Sequence, residues 1–144
     1  MHVARGPPAA ARRRPRGRGF AALRVDEVTP ILNVSDLRAS LAWFEALGWQ
    51  RGFVWGDPPT FASVVCGDPE GRGEIFLCLD GQGARGAWMS WFLPSREELD
   101  AAYARARELG CEITLEPTDE PWSIREFHLR HPDGHTFRVG CEIR

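Results

Sequence analysis

The chain contains no lysine. All 18 basic side chains are arginines, set against 20 acids. It also has no apolar run approaching the roughly 18 residues of a membrane helix, so no helical span is predicted. The four cysteines, Cys66, Cys78, Cys111 and Cys141, stand far apart and form no Cys-x-x-Cys pair. Each lies in an apolar or strand-like setting. They read as reduced, buried thiols of a cytoplasmic protein, not as a disulfide framework. No glycine-rich phosphate loop is present. No motif places a histidine and an acid beside a serine as a nucleophilic triad would require.

Charge is unevenly spread. Residues 1–24 hold seven arginines and no acid, which leaves eleven arginines against all 20 acids over residues 25–144. An acidic body repels nucleic acid and attracts cationic ligands, although solubility alone is the simpler account of it. Residues 1–22 are rich in Arg, Pro, Ala and Gly without periodicity. Such a segment cannot bury enough apolar surface to offset its chain entropy, so it is predicted to be a disordered basic tail. It lacks the apolar core of a secretion signal, and no function is assigned to it.

Residues 23–144 read as one unit written twice, module one over 23–83 and module two over 84–144. In "EVTPILNVSDLRASLAWFEALGW" a β-rich run leads to the capping residues Ser35 and Asp36. Leu37, Leu41, Phe44 and Leu47 then recur at helical spacing, and Gly48 stops the helix. "WMSWFLPSREELDAAYARARELGC" repeats the plan, with Ser95 and Glu98 as a capping pair and Gly110 as the stop. Leu37, Ala39, Leu47 and Gly48 recur as Leu99, Ala101, Leu109 and Gly110. Three strand-like segments follow each helix: "QRGFVWG", "TFASVVCG" and "GEIFLCLD", then "CEITLE", "REFHLRH" and "HTFRVGCEI". The last two are joined by Pro132-Asp133-Gly134. The fold class is therefore α+β. Two tandem β-α-β-β-β modules form a curved mixed sheet with one face under the helices and the other lining a cleft.

Those two modules, the first-module sequence quoted above and "HPDGHTFRVG" near the end resemble the vicinal oxygen chelate superfamily of glyoxalases, extradiol dioxygenases and antibiotic-resistance proteins. "EPWSIREFHLRHPDGH", "FASVV" and "GAWMSW" are similar to its bleomycin-resistance branch in particular. Here Ser123 replaces a usual glycine, and His131 and His135 replace the usual Asp and Asn of the turn. The resemblance implies four metal-ligand positions on the cleft face. Strand alternation puts Leu32 and Val34, with Pro30, under the helix, and Arg138 on the cleft face of the last strand. The four positions then read Thr29, Phe76, Trp88 and Arg138. A divalent ion needs imidazole, carboxylate or thiolate donors, so no metal or other cofactor is expected.

Three of the four histidines fall within eight residues, at His128, His131 and His135. His131 and His135 flank the turn and are predicted at the solvent-facing corner of a hairpin. Alternation puts His128 and Glu126 on the cleft face. Among the six tryptophans, Trp43 and Trp91 are expected in the core, Trp91 toward the second helix. Trp88 and Trp122 match, through the resemblance, tryptophans that hold the planar bithiazole of bleomycin. Trp49, Phe53, Phe61, Phe76, Glu126, His128 and Arg138 are further ligand-binding candidates, and Trp55 a weaker one. Aromatic walls favour flat guests, and cations over such rings gain more.

The implied function is metal-free binding of a flat aromatic, cationic small molecule, as in bleomycin-like antibiotic resistance. The resemblance implies a homodimer with crevices between protomers, and neither nucleic acid nor membrane is an expected partner. The alternative is a lyase or dioxygenase with displaced metal ligands such as His128, Glu126 or Glu142.

Overall fold

The structure, a computed structural model, describes residues 22–144. The basic tail assigned to residues 1–22 lies outside them but for its last residue. The elements run β1 (Ile31–Val34), α1 (Leu37–Ala46), β2 (Gln50–Gly56), β3 (Pro59–Val65) and β4 (Glu74–Leu79). The second set is β5 (Trp88–Phe92), α2 (Arg96–Glu108), β6 (Glu112–Glu120), β7 (Ile124–Arg130) and β8 (Thr136–Glu142). They build two four-stranded sheets, ordered β1-β4-β3-β2 and β5-β8-β7-β6. The β1–β4 and β5–β8 pairs are parallel and the others antiparallel. Two copies of a β-α-β-β-β module are thus present.

Local sequence explains the helices. Asp36 caps α1, its carboxylate accepting from the Ala39 N–H at 2.9 Å. Leu37, Ser40, Leu41 and Phe44 form the buried stripe. Gly48, at φ +106°, turns the chain out of the helix in a conformation that costs glycine little. The Ser95 hydroxyl accepts from the Glu98 N–H and donates to the Glu98 carboxylate, both at 3.2 Å. α1 has 10 residues and α2 13. The stops and buried faces keep the spacing of the repeat, so the extra residues of α2 lie at its start.

The helix-facing sides of both sheets share one core. Trp91 stacks on Phe137 with ring centroids 4.3 Å apart, and Phe44 of α1 packs against both. Trp91 was expected toward α2; its ring contacts are instead with Phe44, Trp49 and Phe137. Trp43 belongs to the same packing, against Phe44, His131 and Phe137. Two strand limits also differ from the sequence reading. Pro30 lies exposed, before β1 begins at Ile31. β6 continues past Glu116 to Glu120, because register shifts between Ile113 and Thr118 take up Pro117 on an edge strand.

The largest correction concerns the hairpin corner. His131 and His135 are 2% and 0% exposed, not solvent-facing. The Pro-Asp-Gly turn docks on the start of module one through Asp133, and the two histidines that flank it are thereby buried. The Asp133 N–H donates to His131 Nδ1 at 3.0 Å, so the neutral ring carries its proton on Nε2 and donates it to Ser40 Oγ at 2.8 Å. His135 Nδ1 likewise accepts from the Ala87 N–H at 3.1 Å, and its Nε2 donates to the Asn33 carbonyl at 2.8 Å. The Asp133 carboxylate accepts from the Ser35 N–H and hydroxyl at 3.0 and 2.7 Å. Burial opposes its charge, but the Ser35 bonds and the nearby Arg85 prevail and hold its pKa below the usual range. Burial, reinforced by His135, pushes the His131 pKa down to about 4 against the pull of Asp133. These contacts form the polar seam between the modules.

Candidate functional site

The residues singled out on the cleft side fall into two groups. In module one, Phe53, Phe61 and Phe76 form a ring cluster. Phe53 stacks on Phe61 at 5.9 Å, and Phe76 meets both edge-on at 5.5 and 5.4 Å. They come together because β3 lies between β2 and β4, so three neighbouring strands each present one ring. Beside them opens a cavity of about 540 Å³. It is lined by Phe53, Trp55, Thr60, Phe61, Cys78, Leu79, Gly81 and Gln82, none of them charged. Trp55 is 68% exposed. The lining from Cys78 to Gln82 escaped the sequence reading. Alternation along β4 sets Cys78 two residues beyond Phe76, and this was the available signal.

In module two, Glu126 is the centre. It is 2% exposed, and its two oxygens accept four hydrogen bonds. Oε1 takes the Trp122 indole N–H at 3.1 Å and Arg138 Nη2 at 3.0 Å. Oε2 takes Arg138 Nε at 2.7 Å and His128 Nε2 at 2.8 Å. Burial raises the carboxyl's pKa, but these partners outweigh it, Arg138 most, and the group stays anionic below its ordinary range. The hydrogen bonds that Arg138 donates to Glu126 raise its pKa above its already high value, against the effect of burial. His128 and Arg138 are cross-strand partners on β7 and β8. Trp88, 63% exposed on β5, meets the His128 ring edge-on at 5.5 Å. Phe92 is equally exposed four residues along the same strand, a candidate the sequence reading did not single out.

The structure therefore brings Trp88, Trp122, Glu126, His128 and Arg138 together, and separately Phe53, Phe61 and Phe76. No ring contact or hydrogen bond joins the two groups among the described residues. Trp49 joins neither: its ring packs on Phe44 and Trp91, in the shared core. Trp122 is half-buried on the Ser123 turn, where Ser123 holds φ +66°. That left-handed backbone is the physical reason glycine suits the position. Of the cysteines, Cys78 and Cys141 are buried, while Cys66 and Cys111 are partly so, and all four are free thiols.

The arrangement does not suit a divalent ion. Phe76 and Trp88 bring no donor, and Arg138 brings positive charge. Among the described residues no three His, Cys, Asp or Glu side chains are grouped as metal ligands. Glu126 is engaged with both His128 and Arg138.

Two β-α-β-β-β modules over one core define the class of fold, and the comparisons place the chain within it. Residues 24–139 match the Glyoxalase/Bleomycin resistance protein/Dioxygenase superfamily, and the chain belongs to that family. A solved member from Sphaerobacter thermophilus is 26% identical at TM-score 0.68, covering 83% of this chain and 100% of that one. TioX from a Micromonospora species is 15% identical at TM-score 0.70, with 83% and 100% covered. A bleomycin resistance determinant encoded on transposon Tn5 is 21% identical at TM-score 0.62, with the same coverage. The last two likenesses concern the fold alone. No curated protein matches the chain in sequence. No helix among the described residues is long and apolar enough to cross a membrane.

Proposed function

We propose that this protein is a metal-free binding protein that sequesters a flat aromatic small molecule, of the kind exemplified by the planar part of bleomycin. The observation that carries this reading is the pair Trp88 and Trp122 on one polar cluster, with Trp88 63% exposed. A large apolar ring held open to solvent is a binding feature more than a folding one. The uncharged ring cluster of module one supplies a second aromatic wall. No ring contact or hydrogen bond joins the two faces among the described residues, which fits a homodimer in which module one of one copy faces module two of the other. The acidic body favours a cationic guest, but Glu126 has no acceptor left to serve as its counter-ion.

Tryptophan-fluorescence titration with bleomycin tests the reading. Trp88→Ala and Trp122→Ala should each lose about thirtyfold in affinity, corresponding to about 2 kcal/mol, while remaining folded. Sedimentation should give a dimer. If neither substitution changes binding, the site assignment fails. The enzymatic alternative, with Glu126, His128 or Glu142 as displaced ligands, would require about one bound metal per chain by elemental analysis, removable with loss of an activity.

A further inference from the structure

The internal bonding of the module-two cluster fixes which of its atoms remain available to a guest. Glu126 is saturated: a carboxylate offers about four acceptor sites, and Trp122, His128 and two nitrogens of Arg138 occupy them. Enclosed as it is, it cannot touch a ligand. Arg138 uses the Nε–Nη2 edge of its guanidinium for that pairing. Among the described residues the opposite edge, Nη1 together with the second hydrogen of Nη2, makes no hydrogen bond. The Arg138 side chain is 23% exposed. Its cross-strand neighbour His128 touches the exposed Trp88 ring.

The cluster is thus a planar cation clamped on one edge and open on the other, next to an exposed aromatic ring. A guanidinium edge donates two parallel N–H bonds and accepts nothing, so it selects acceptor oxygens. We propose that the free edge of Arg138 binds an acceptor oxygen, carbonyl or carboxylate, attached to the rim of the flat ring that Trp88 and Trp122 hold. This rests on the binding-protein reading above and narrows its ligand class. Glu120 also acts on Arg138 through space, without a hydrogen bond. Its charge opposes a full anion but not a neutral carbonyl, so the two sources of the oxygen are separated by the probes below.

The test is fluorescence titration with three matched probes, a naphthoate, the corresponding naphthamide and the corresponding naphthylmethylammonium. The first two should bind about tenfold or more tighter than the ammonium, and their order tells carboxylate from carbonyl. Arg138→Lys keeps a cation on Glu126, so the buried carboxylate stays paired, but it removes the free guanidinium edge. In that variant the advantage of the naphthoate and naphthamide should disappear, while thermal unfolding verifies that the protein remains folded. Equal binding of the three probes, tighter binding of the ammonium, or an unchanged preference in Arg138→Lys would overturn the inference and leave the binding-protein reading standing. If none of the probes nor bleomycin binds, both fall.

Discussion

Phe76 and Arg138 hold the same place in the two modules. Each lies on the last strand of its module, paired in parallel register with the first, Phe76 with Ile31 and Arg138 with Ser90. Around Phe76 are other rings, and around Arg138 is a hydrogen-bonded cluster on a buried acid. Their immediate neighbours stayed alike: Ile75 and Leu77 in one strand, Phe137 and Val139 in the other, are all buried under the helices. The two last strands therefore keep a buried apolar side chain at every second position and differ in kind between them. Helix-side residues share one close-packed core, where a change of volume is costly. Cleft-side residues lie outside that shared core, and each module packs its own partners around them.

That contrast can be broken by experiment. Trp91→Ala, in the core beside Phe137, should lose about 3–5 kcal/mol in urea unfolding, whereas Trp88→Ala should stay within about 0.5 kcal/mol. The reverse order would mean the two sides of β5 are assigned the wrong way round. Arg138→Met should cost about 3 kcal/mol, because it leaves the buried Glu126 carboxylate without its cation. Phe76→Met at the equivalent place should cost less than about 1.5 kcal/mol, being an apolar exchange. Similar losses at both positions would show that the cleft faces are energetically equivalent after all.

The seam between the modules should be sensitive to acid. The pKa of His131 is lowered from 6.5 to about 4 in the folded chain, so the unfolded chain takes up the proton first. Its contribution is complete above pH 6.5 and is lost as the pH falls toward 4, amounting to about 3 kcal/mol. Glu126 and Asp133, whose pKa values are also lowered, add their losses only at more acid pH. Urea unfolding between pH 7 and 4 measures the slope, and His131→Gln should flatten it. The smallest effect is expected at Ser123, whose φ of +66° strains a side chain that glycine lacks. Ser123→Gly should raise stability by about 0.5 kcal/mol in the same assay.

The sequence by itself determined the duplicated β-α-β-β-β plan, the helix caps and stops, and the helix-facing alternation of the later strands. Each of these rests on short-range rules of hydrogen bonding and periodicity. The tertiary structure alone decided what lies against what. It moved Trp49 from the cleft to the core, because a loop residue has no strand alternation to fix its side. It buried His131 and His135, because the turn that carries them docks on the other module, some 90 residues away in sequence by the Ser40–His131 bond. And it turned Glu126 from a cleft acid into a saturated anchor, because its partners Trp122, His128 and Arg138 converge only when β6, β7 and β8 are paired.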